Sequence, residues 1–306
     1  MNFSIIFETL AGSHLYGTST PDSDMDSRGV CVVPINDMLD PFQNFEQFED
    51  NVEKDRTIFN LPKFFQLASK ANPNIIELLY APKESLVTLT SQGKLLLDNV
   101  TLFASQLARQ TFIGYSYSQL KRINLHREWL LNPPSKKPLR KDFGLPEMSH
   151  FGLERIDNLI HAPVDTIKDE WREYALAEQS YRSAKQYWDN YENWMKNRNP
   201  KRFEIEKKYG FDSKHALHLY RLLTEGLEFL TTGRIIFPRP DRGVLLDIRN
   251  GVYSYDELMK MTSDFEDKIN NVQSSLPKKP NINKLKELYY EILKDTELKN
   301  DNLHRK

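Results

Sequence analysis

The sequence has very little cysteine and no long hydrophobic run. Cys31 is the only cysteine among 306 residues, which excludes an intramolecular disulfide and a cysteine-based metal cluster, and it indicates a reducing compartment. There is no run of about 18 apolar residues, so no membrane-spanning segment is predicted. The N-terminal segment 1–12 has no basic region before its apolar residues, and we interpret it as a strand rather than a signal peptide. These features predict a cytoplasmic protein.

The sequence also has no excess of either charge. Its 42 Lys and Arg and 43 Asp and Glu residues give a formal net charge of −1. This balance argues against a general electrostatic surface for nucleic acid, but it leaves room for a local basic groove. The G-x-x-x-x-G-K-[ST] motif of P-loop NTPases and the G-x-G-x-x-G motif of Rossmann dehydrogenases are both missing, which disfavours these two classes.

Hydrophobic patterning and turn signals predict an α+β protein. The first part, residues 1–100, is expected to be a small mixed-sheet domain, and residues 101–306 a mostly helical one. Strands are predicted over 3–10, 25–34 and 56–61, with a short helix at 13–16. Gly233 suits the C-cap of the helix at 214–230. The predicted longer helices cover 62–71, 72–82, 101–131, 167–197, 214–230, 254–274 and 281–298.

An acidic pair follows a glycine-serine turn in the stretch AGSHLYGTSTPDSDMD, residues 11–26. Residues two apart in a strand share a face, so Asp24 and Asp26 are expected to point the same way. Two such carboxylates repel each other when both are ionised, and a hard divalent cation such as Mg²⁺ resolves the repulsion. The turn at Gly12 and Ser13 would offer backbone N–H groups and a hydroxyl to phosphate oxygens. The stretch is therefore consistent with a site in which the turn binds a triphosphate and the acids bind a metal. The alternative interpretation is that the whole stretch is a solvated loop.

Three blocks of the sequence resemble one family. Residues 12–30 read G-S-x-x-Y-G-T-x-x-P-x-S-D-x-D-x-R-G-V, which resembles the signature of polymerase-beta-type nucleotidyltransferases and, among them, the predicted enzymes of the RNA-repair-pathway type. Residues 55–80 resemble the family block D-x-x-x-F/Y-x-L-x-K-F…N-P-x-x-x-E-L-L. Residues 214–251 resemble its block K-H-x-x-H-x-x-R-L…L-x-T-G…P…L-x-x-I-R-x-G. The resemblance implies a palm-type catalytic domain within 1–100 and a helical domain, 101–306, that completes the nucleotide and acceptor site.

The resemblance also implies a reaction and a set of metal ligands. Members of the superfamily transfer a nucleoside monophosphate from an NTP to a hydroxyl and release pyrophosphate, with two Mg²⁺ or Mn²⁺ ions held by three carboxylates. Asp24 and Asp26 match the acidic pair. The third carboxylate is expected on a neighbouring strand, where Asp55 is the first candidate and Glu53 the alternative. Gly12 and Ser13 would bind the nucleotide.

Several basic residues are further candidates for nucleotide binding. Lys63 either faces the triphosphate or is a solvated lysine at the start of a helix. Lys214, His218 and Arg221 fall at i, i+4 and i+7 on one helical stripe, which suits an anion, although a solvated face with an ordinary ion pair is the alternative. Glu77 lies in an apolar helical segment, and we interpret it as a structural carboxylate with a basic partner.

The acceptor is the least determined part. An RNA end is the leading expectation, with ATP or CTP as donor, and the basic loop 136–141 together with Lys121 and Arg122 is the candidate groove. One alternative is the same chemistry with a protein or small-molecule hydroxyl as acceptor. The other is a catalytically silent module that binds a nucleotide or RNA. The sequence does not determine the oligomeric state. Three aromatic residues either stack on bases or belong to the core: Tyr115, Tyr117 and Trp129.

Overall fold

The structure is a computed structural model, and its described residues form two compact units. The first unit combines residues 1–123 with residues 213–306, and the second unit is residues 124–212. The functional boundary expected near residue 100 stays a prediction. The described residues are 3–21, 23–35, 39–40, 42, 45–50, 55–149, 151–163, 166–198 and 200–303.

A five-stranded mixed sheet lies in the first unit, which confirms the predicted α+β class. The strand order is β3-β4-β2-β1-β5, with β2 and β4 parallel and the other neighbours antiparallel. The strands predicted over 3–10, 25–34 and 56–61 are present. The short edge strands β3 and β5 were missed, because four residues carry little alternation. The strands are β1 (Ser4–Leu10), β2 (Ser27–Val32), β3 (Gln47–Asp50), β4 (Arg56–Asn60) and β5 (Leu86–Leu89).

The described helices follow the capping signals of the sequence. Asn60 and Asn72 cap α2 and α3 by accepting from the backbone N–H groups of Lys63 and Asn74. Gly233 takes a left-handed conformation, with φ 74°, just after α9. The helices are α1 (Gly12–Tyr16), α2 (Leu61–Ser69), α3 (Pro73–Leu79), α4 (Ser91–Asp98), α5 (Leu107–Leu131), α6 (Leu153–His161), α7 (Asp169–Lys196), α8 (Pro200–Tyr209), α9 (Ser213–Thr232), α10 (Arg242–Arg249), α11 (Tyr255–Asn271) and α12 (Ile282–Leu303).

The core of the first unit joins the two ends of the chain. Phe112 of α5 stacks on Phe229 of α9 with ring centroids 6.3 Å apart, and both side chains are fully buried. Phe65 of α2 makes an edge contact with Tyr289 of α12 at 5.4 Å. The helices that follow residue 213 therefore close the same core that the sheet begins. None of the described helices is long and apolar enough to cross a membrane.

The second unit has an aromatic core of its own. Trp129 is only 3% exposed and lies 5.1 Å from Trp194, with Tyr187 and Tyr191 each at 5.8 Å between ring centroids. Of the two interpretations of Trp129, the core one is therefore correct, because no face of its ring is open to a base. Tyr115 and Tyr117, both in the first unit, are exposed.

Candidate active site

Two of the predicted acids lie side by side at one edge of the sheet. Asp26 and Asp55 come directly before the strands β2 and β4, which are parallel and pair Ser27 with Arg56. The backbone N–H of Ser27 donates to the carbonyl oxygen of Asp55 at 3.0 Å. Parallel pairing brings the starts of both strands to the same edge, so the two acids become neighbours although 29 positions separate them.

The charges around Asp26 show which groups converge there. Partial burial raises the pKa of Asp26, and the carboxylates of Asp55 and Asp24 raise it further, while Arg28 and Lys214 act in the opposite direction. The carboxylates of Asp24 and Asp55 thus lie close enough to Asp26 to disfavour its ionisation. An oxygen-only donor set of this kind fits a hard divalent cation such as Mg²⁺ or Mn²⁺. Glu53, the alternative third acid, lies outside the described residues.

The Gly12 turn borders this acidic cluster directly. Gly12 has φ 60°, in the left-handed region, and a Cβ placed on it would lie 2.4 Å from Asp26 Oδ2. The backbone N–H of Ala11 donates to the Asp26 carbonyl oxygen at 2.9 Å, and Thr18 N–H donates to Ser13 O at 2.9 Å. The position therefore requires glycine for two reasons, its backbone conformation and the close approach of a carboxylate.

The predicted basic residues differ in their surroundings. Lys214 is exposed at the start of α9, and its charge reaches Asp26, whereas His218 lies one turn later and is partly exposed. Lys63, in the first turn of α2, forms an ion pair with Glu46 at 2.8 Å. Of these three residues, Lys214 is the one whose charge lowers the pKa of Asp26, against the larger effects of burial and of Asp55.

Arg221 is buried and bound by carboxylates. Its side chain contacts Glu77 and Glu225, the latter at 2.8 Å, and its guanidinium lies 4.3 Å from the ring centroid of Tyr16. Tyr16 Oη donates to Glu77 Oε2 at 2.7 Å. Burial by itself lowers the pKa of Arg221, but the charges of Glu225 and Glu77 outweigh it, so the guanidinium stays charged. Glu77 is confirmed as a structural carboxylate with a basic partner.

This buried cluster joins the three sequence blocks of the resemblance. Tyr16 comes from the first block, Glu77 from the second and Arg221 from the third. Residues far apart in sequence meet in this cluster, and each satisfies a buried polar group of another. Arg221 therefore has an observed packing role, and its contact with a nucleotide stays a prediction.

Further basic residues border the turn that follows α1. Arg249 Nη1 donates to the carbonyl oxygen of Thr18 at 3.0 Å, and Arg239 N–H donates to Tyr16 O at 3.0 Å. The side chain of Arg242 is exposed, and its Cδ lies 3.5 Å from the position that a Cβ on Gly17 would take. These contacts link the third sequence block to the loop between the turn and the acids.

Glu8 is a buried acid that the sequence argument missed. It lies on β1, is 3% exposed and accepts hydrogen bonds from both Arg56 and Ser27. A single charged residue inside the otherwise apolar strand FSIIFETL was the available signal. In a strand that is buried on both faces, a carboxylate needs a partner to be tolerated.

Comparisons with known proteins agree with the resemblance. Residues 1–135 match the model of the RNA repair pathway DNA polymerase beta family. The first two sequence blocks, at 12–30 and 55–80, lie within the matched residues, while the block at 214–251 lies beyond them.

A phage protein extends the similarity over most of the chain. The chain is 22% identical over 302 residues to the uncharacterized 38.9 kDa protein in the nrdC-mobD intergenic region of Enterobacteria phage T4, covering 86% of this chain and 88% of the phage protein. No solved structure matches the chain.

Proposed function

We propose that this protein is a metal-dependent nucleotidyltransferase that transfers a nucleoside monophosphate from an NTP to a hydroxyl at an RNA end. The observation that carries the proposal is the convergence of three acids beside the Gly12 turn. Strand pairing brings Asp55 next to Asp26, the charges of Asp24 and Asp55 act on Asp26, and Asp26 touches the turn. The family match of residues 1–135 supports the same chemistry.

Each acid has a defined part in the proposed site. Asp24, Asp26 and Asp55 hold two Mg²⁺ or Mn²⁺ ions, which when bound supply activation of the attacking hydroxyl and neutralise charge on the leaving pyrophosphate. Asp55 comes from the neighbouring strand, and we assign it to the acceptor side of the site. Loss of Asp55 is therefore expected to reduce transfer more than it reduces nucleotide binding.

The nucleotide is proposed to lie between the turn and the start of α9. Gly12 and Ser13 offer backbone N–H groups and a hydroxyl to the triphosphate, and Lys63, Lys214 and His218 supply positive charge and hydrogen-bond donors. Lys214 carries the firmest argument of these, because its charge acts on Asp26. Arg221 supports the same site from within by fixing Tyr16, at the C-terminal end of the short helix that Gly12 begins.

The RNA acceptor is proposed from the family description and from a basic loop. The family whose model matches residues 1–135 is described by its RNA repair pathway. In the loop 136–141, Lys136, Lys137 and Lys141 are exposed, as phosphate contacts require. Arg140 of the same loop is bound to Glu178 and is not counted among them. ATP or CTP is the proposed donor.

A transfer assay with labelled nucleotides tests the proposal. Purified protein is incubated with each α-labelled NTP and Mg²⁺ or Mn²⁺, with an RNA pool or a protein pool as acceptor, and we expect label in RNA. The double variant Asp24→Asn/Asp26→Asn should abolish transfer, because neutral amides cannot balance the metal charge. The control Asp157→Asn changes an exposed carboxylate of the second unit and should leave the rate unchanged.

Two outcomes would contradict the proposal. Label found only in the protein pool would remove RNA as acceptor, and no label with any nucleotide would remove the transfer activity itself. The double variant is expected to remain folded, because the raised pKa of Asp26 shows that its negative charge is disfavoured in the folded state and an amide relieves the repulsion.

A further inference from the structure

We propose that Glu8 is a positioning residue that holds the candidate metal-binding acids in place without contacting the metals. This inference rests on the proposed function, since it concerns the same acids. It assigns a role to a buried charge that the nucleotidyltransferase chemistry itself does not use.

The contacts of Glu8 reach the residues next to two of the acids. Glu8 Oε1 accepts from Ser27 Oγ at 2.9 Å and from Arg56 Nε at 2.8 Å, and Oε2 accepts from Arg56 Nη2 at 2.8 Å. Ser27 directly follows Asp26, and Arg56 directly follows Asp55. One carboxylate on β1 is therefore bonded to the first residues of both β2 and β4. We refer to Glu8, Ser27 and Arg56 as the Glu8 clamp.

The clamp lies at the end of the strand pairing. Ser27 and Arg56 are the first paired residues of β2 and β4, and the acids before them lie outside the strands but still accept backbone hydrogen bonds from Ala11 and Ser27. The ends of a ladder open more readily than its middle, so these bonds are the first to break. Three charge-assisted or hydroxyl hydrogen bonds at this point limit that opening. The separation of Asp26 and Asp55 is thereby fixed.

The geometry keeps Glu8 on the side of the sheet that does not carry the acids. Glu8 is opposite Gly29, and Ser27 is two residues from Gly29, so these three positions share one face. A Cβ on Gly29 would lie 3.1 Å from Glu8 Cβ and 2.4 Å from Phe7 O, so only glycine leaves room for the clamp there. Consecutive residues of an extended chain point to opposite faces, which directs Asp26 away from Glu8.

Arg56 balances the charge of the clamp. The hydrogen bond to Glu8 raises the pKa of Arg56, although burial acts against it, so the guanidinium remains charged. Without Glu8, the guanidinium of Arg56 would lose this bidentate partner, although the carboxylate of Asp50 also acts on its charge. The loosened ladder end would let Asp26 and Asp55 move relative to each other, which would weaken metal binding.

The test measures Mn²⁺ binding by the full-length protein, using the EPR signal of free Mn²⁺, with Glu8→Gln as the variant. Removal of residues that orient metal ligands costs about 10- to 100-fold in metal affinity, and we expect a loss in that range. The matched control is Glu178→Gln, which breaks a bidentate pair with Arg140 in the second unit, with contacts at 2.9 and 2.6 Å and a carboxylate that is buried like that of Glu8. It should leave Mn²⁺ affinity within about twofold of the parent.

A second variant keeps the test decisive if Glu8→Gln does not fold. Arg56 is 30% exposed, so Arg56→Lys should fold, and it keeps the charge but loses the bidentate geometry. We expect it to weaken Mn²⁺ binding relative to the parent.

Unchanged Mn²⁺ affinity in folded Glu8 and Arg56 variants, with a parent that binds Mn²⁺, would overturn the positioning role. A parent that binds no Mn²⁺ would instead overturn the proposed metal site, so the two failures are distinguishable. Equal losses of Mn²⁺ affinity in the Glu8 and Glu178 variants would show that the effect comes from general destabilisation of the protein. That result would also contradict the positioning role.

Discussion

At the scale of single residues, Gly12 shows how one position serves both the backbone and the site. Its left-handed φ and the 2.4 Å approach of Asp26 Oδ2 to a Cβ in its place exclude any other residue without rearrangement. The turn and the acids, which an anionic ligand would seem unable to approach together, lie against each other. In the proposed function, a cation bound by the acids balances their charge and allows the triphosphate to bind beside them.

Gly12→Ala is expected to destabilise the protein and to weaken Mn²⁺ binding. A left-handed conformation costs a non-glycine residue about 1–2 kcal/mol, and the displaced Asp26 carboxylate adds to this loss. Urea unfolding followed by far-UV circular dichroism and a Mn²⁺ titration measure the two effects. The control is Gly114→Ala, in the middle of α5 with open space around it, which should raise the free energy of unfolding by about 0.4–1 kcal/mol. Equal behaviour of the two variants would contradict the explanation.

At the scale of secondary-structure elements, one buried ion cluster joins α1, α3 and α9. Arg221 bonds Glu77 and Glu225 and packs on the ring of Tyr16, and Arg239, after α9, adds a second guanidinium that is bonded to Glu228 and Asp241. Such clusters cost desolvation, so their value lies in fixing how elements meet rather than in net stability. The element that carries the Gly12 turn is thereby tied to the two others.

Arg221→Met should destabilise the protein by about 3–5 kcal/mol, because it leaves the carboxylates of Glu77 and Glu225 buried without their cation. Chemical unfolding of the purified variant gives the value. Lys185→Ala removes one partner of an exposed pair with Asp189 and should cost less than about 0.5 kcal/mol. A loss below about 1 kcal/mol in the Arg221 variant would show that the cluster is not needed for packing.

In the second unit, the pair between Arg140 and Glu178 predicts acid sensitivity. The hydrogen bonds from Arg140 lower the pKa of Glu178, in spite of its burial, so the folded state favours the ionised carboxylate. The stabilisation is therefore present above the unfolded pKa of about 4.3 and is lost as the pH falls through the lower folded value. The urea concentration at the unfolding midpoint of the parent should therefore decrease as the pH is lowered below about 4.3.

Glu178→Gln should have a lower midpoint at neutral pH and a weaker dependence on pH below about 4. All four tryptophans, at positions 129, 171, 188 and 194, lie in the second unit, so their fluorescence reports its unfolding. Parallel pH profiles of parent and variant would contradict the assignment of the acid sensitivity to this pair.

At the scale of the whole molecule, the first unit is built from both ends of the chain. Residues 213–306 supply Phe229 against Phe112 and Arg221 against Glu77, so the N-terminal sheet domain is incomplete without them. Residues 124–212 form the second unit as one uninterrupted segment with its own aromatic core. A segment can fold alone when it contains a complete hydrophobic core, and the part of a chain that matches a family model need not contain one.

A fragment limited to residues 1–135, the part that matches the family model, is expected not to fold cooperatively, whereas residues 124–212 should. In the first fragment Glu77 loses its cation and Phe112 loses its partner, while the second keeps its buried aromatic cluster. Thermal unfolding by circular dichroism distinguishes the two, with the full-length chain as reference. A cooperative transition in the fragment 1–135 would show that the later helices are dispensable for its fold.

The sequence by itself determined most of the elements, because these depend on local patterns. The β1–α1–β2 order, the glycine-serine turn, the pair Asp24 and Asp26 and most long helices follow from periodicity, capping and spacing within short windows. The short edge strands escaped detection because four residues carry too little pattern. The Asp55 choice came from the expected neighbouring strand, and the parallel pairing of β2 and β4 placed it beside Asp26.

The tertiary structure alone decided which charged residues meet, since burial and pairing across the chain leave no local signal. Arg221 fits a basic stripe in the sequence, yet folding buries it against Glu77, and Trp129 fits a base-stacking residue yet fills a core. Glu8 has no sequence neighbour that explains it, and its partners Ser27 and Arg56 are brought to it only by three adjacent strands. Pairing between distant segments is a property of the whole chain, and it determines where each charge can be buried.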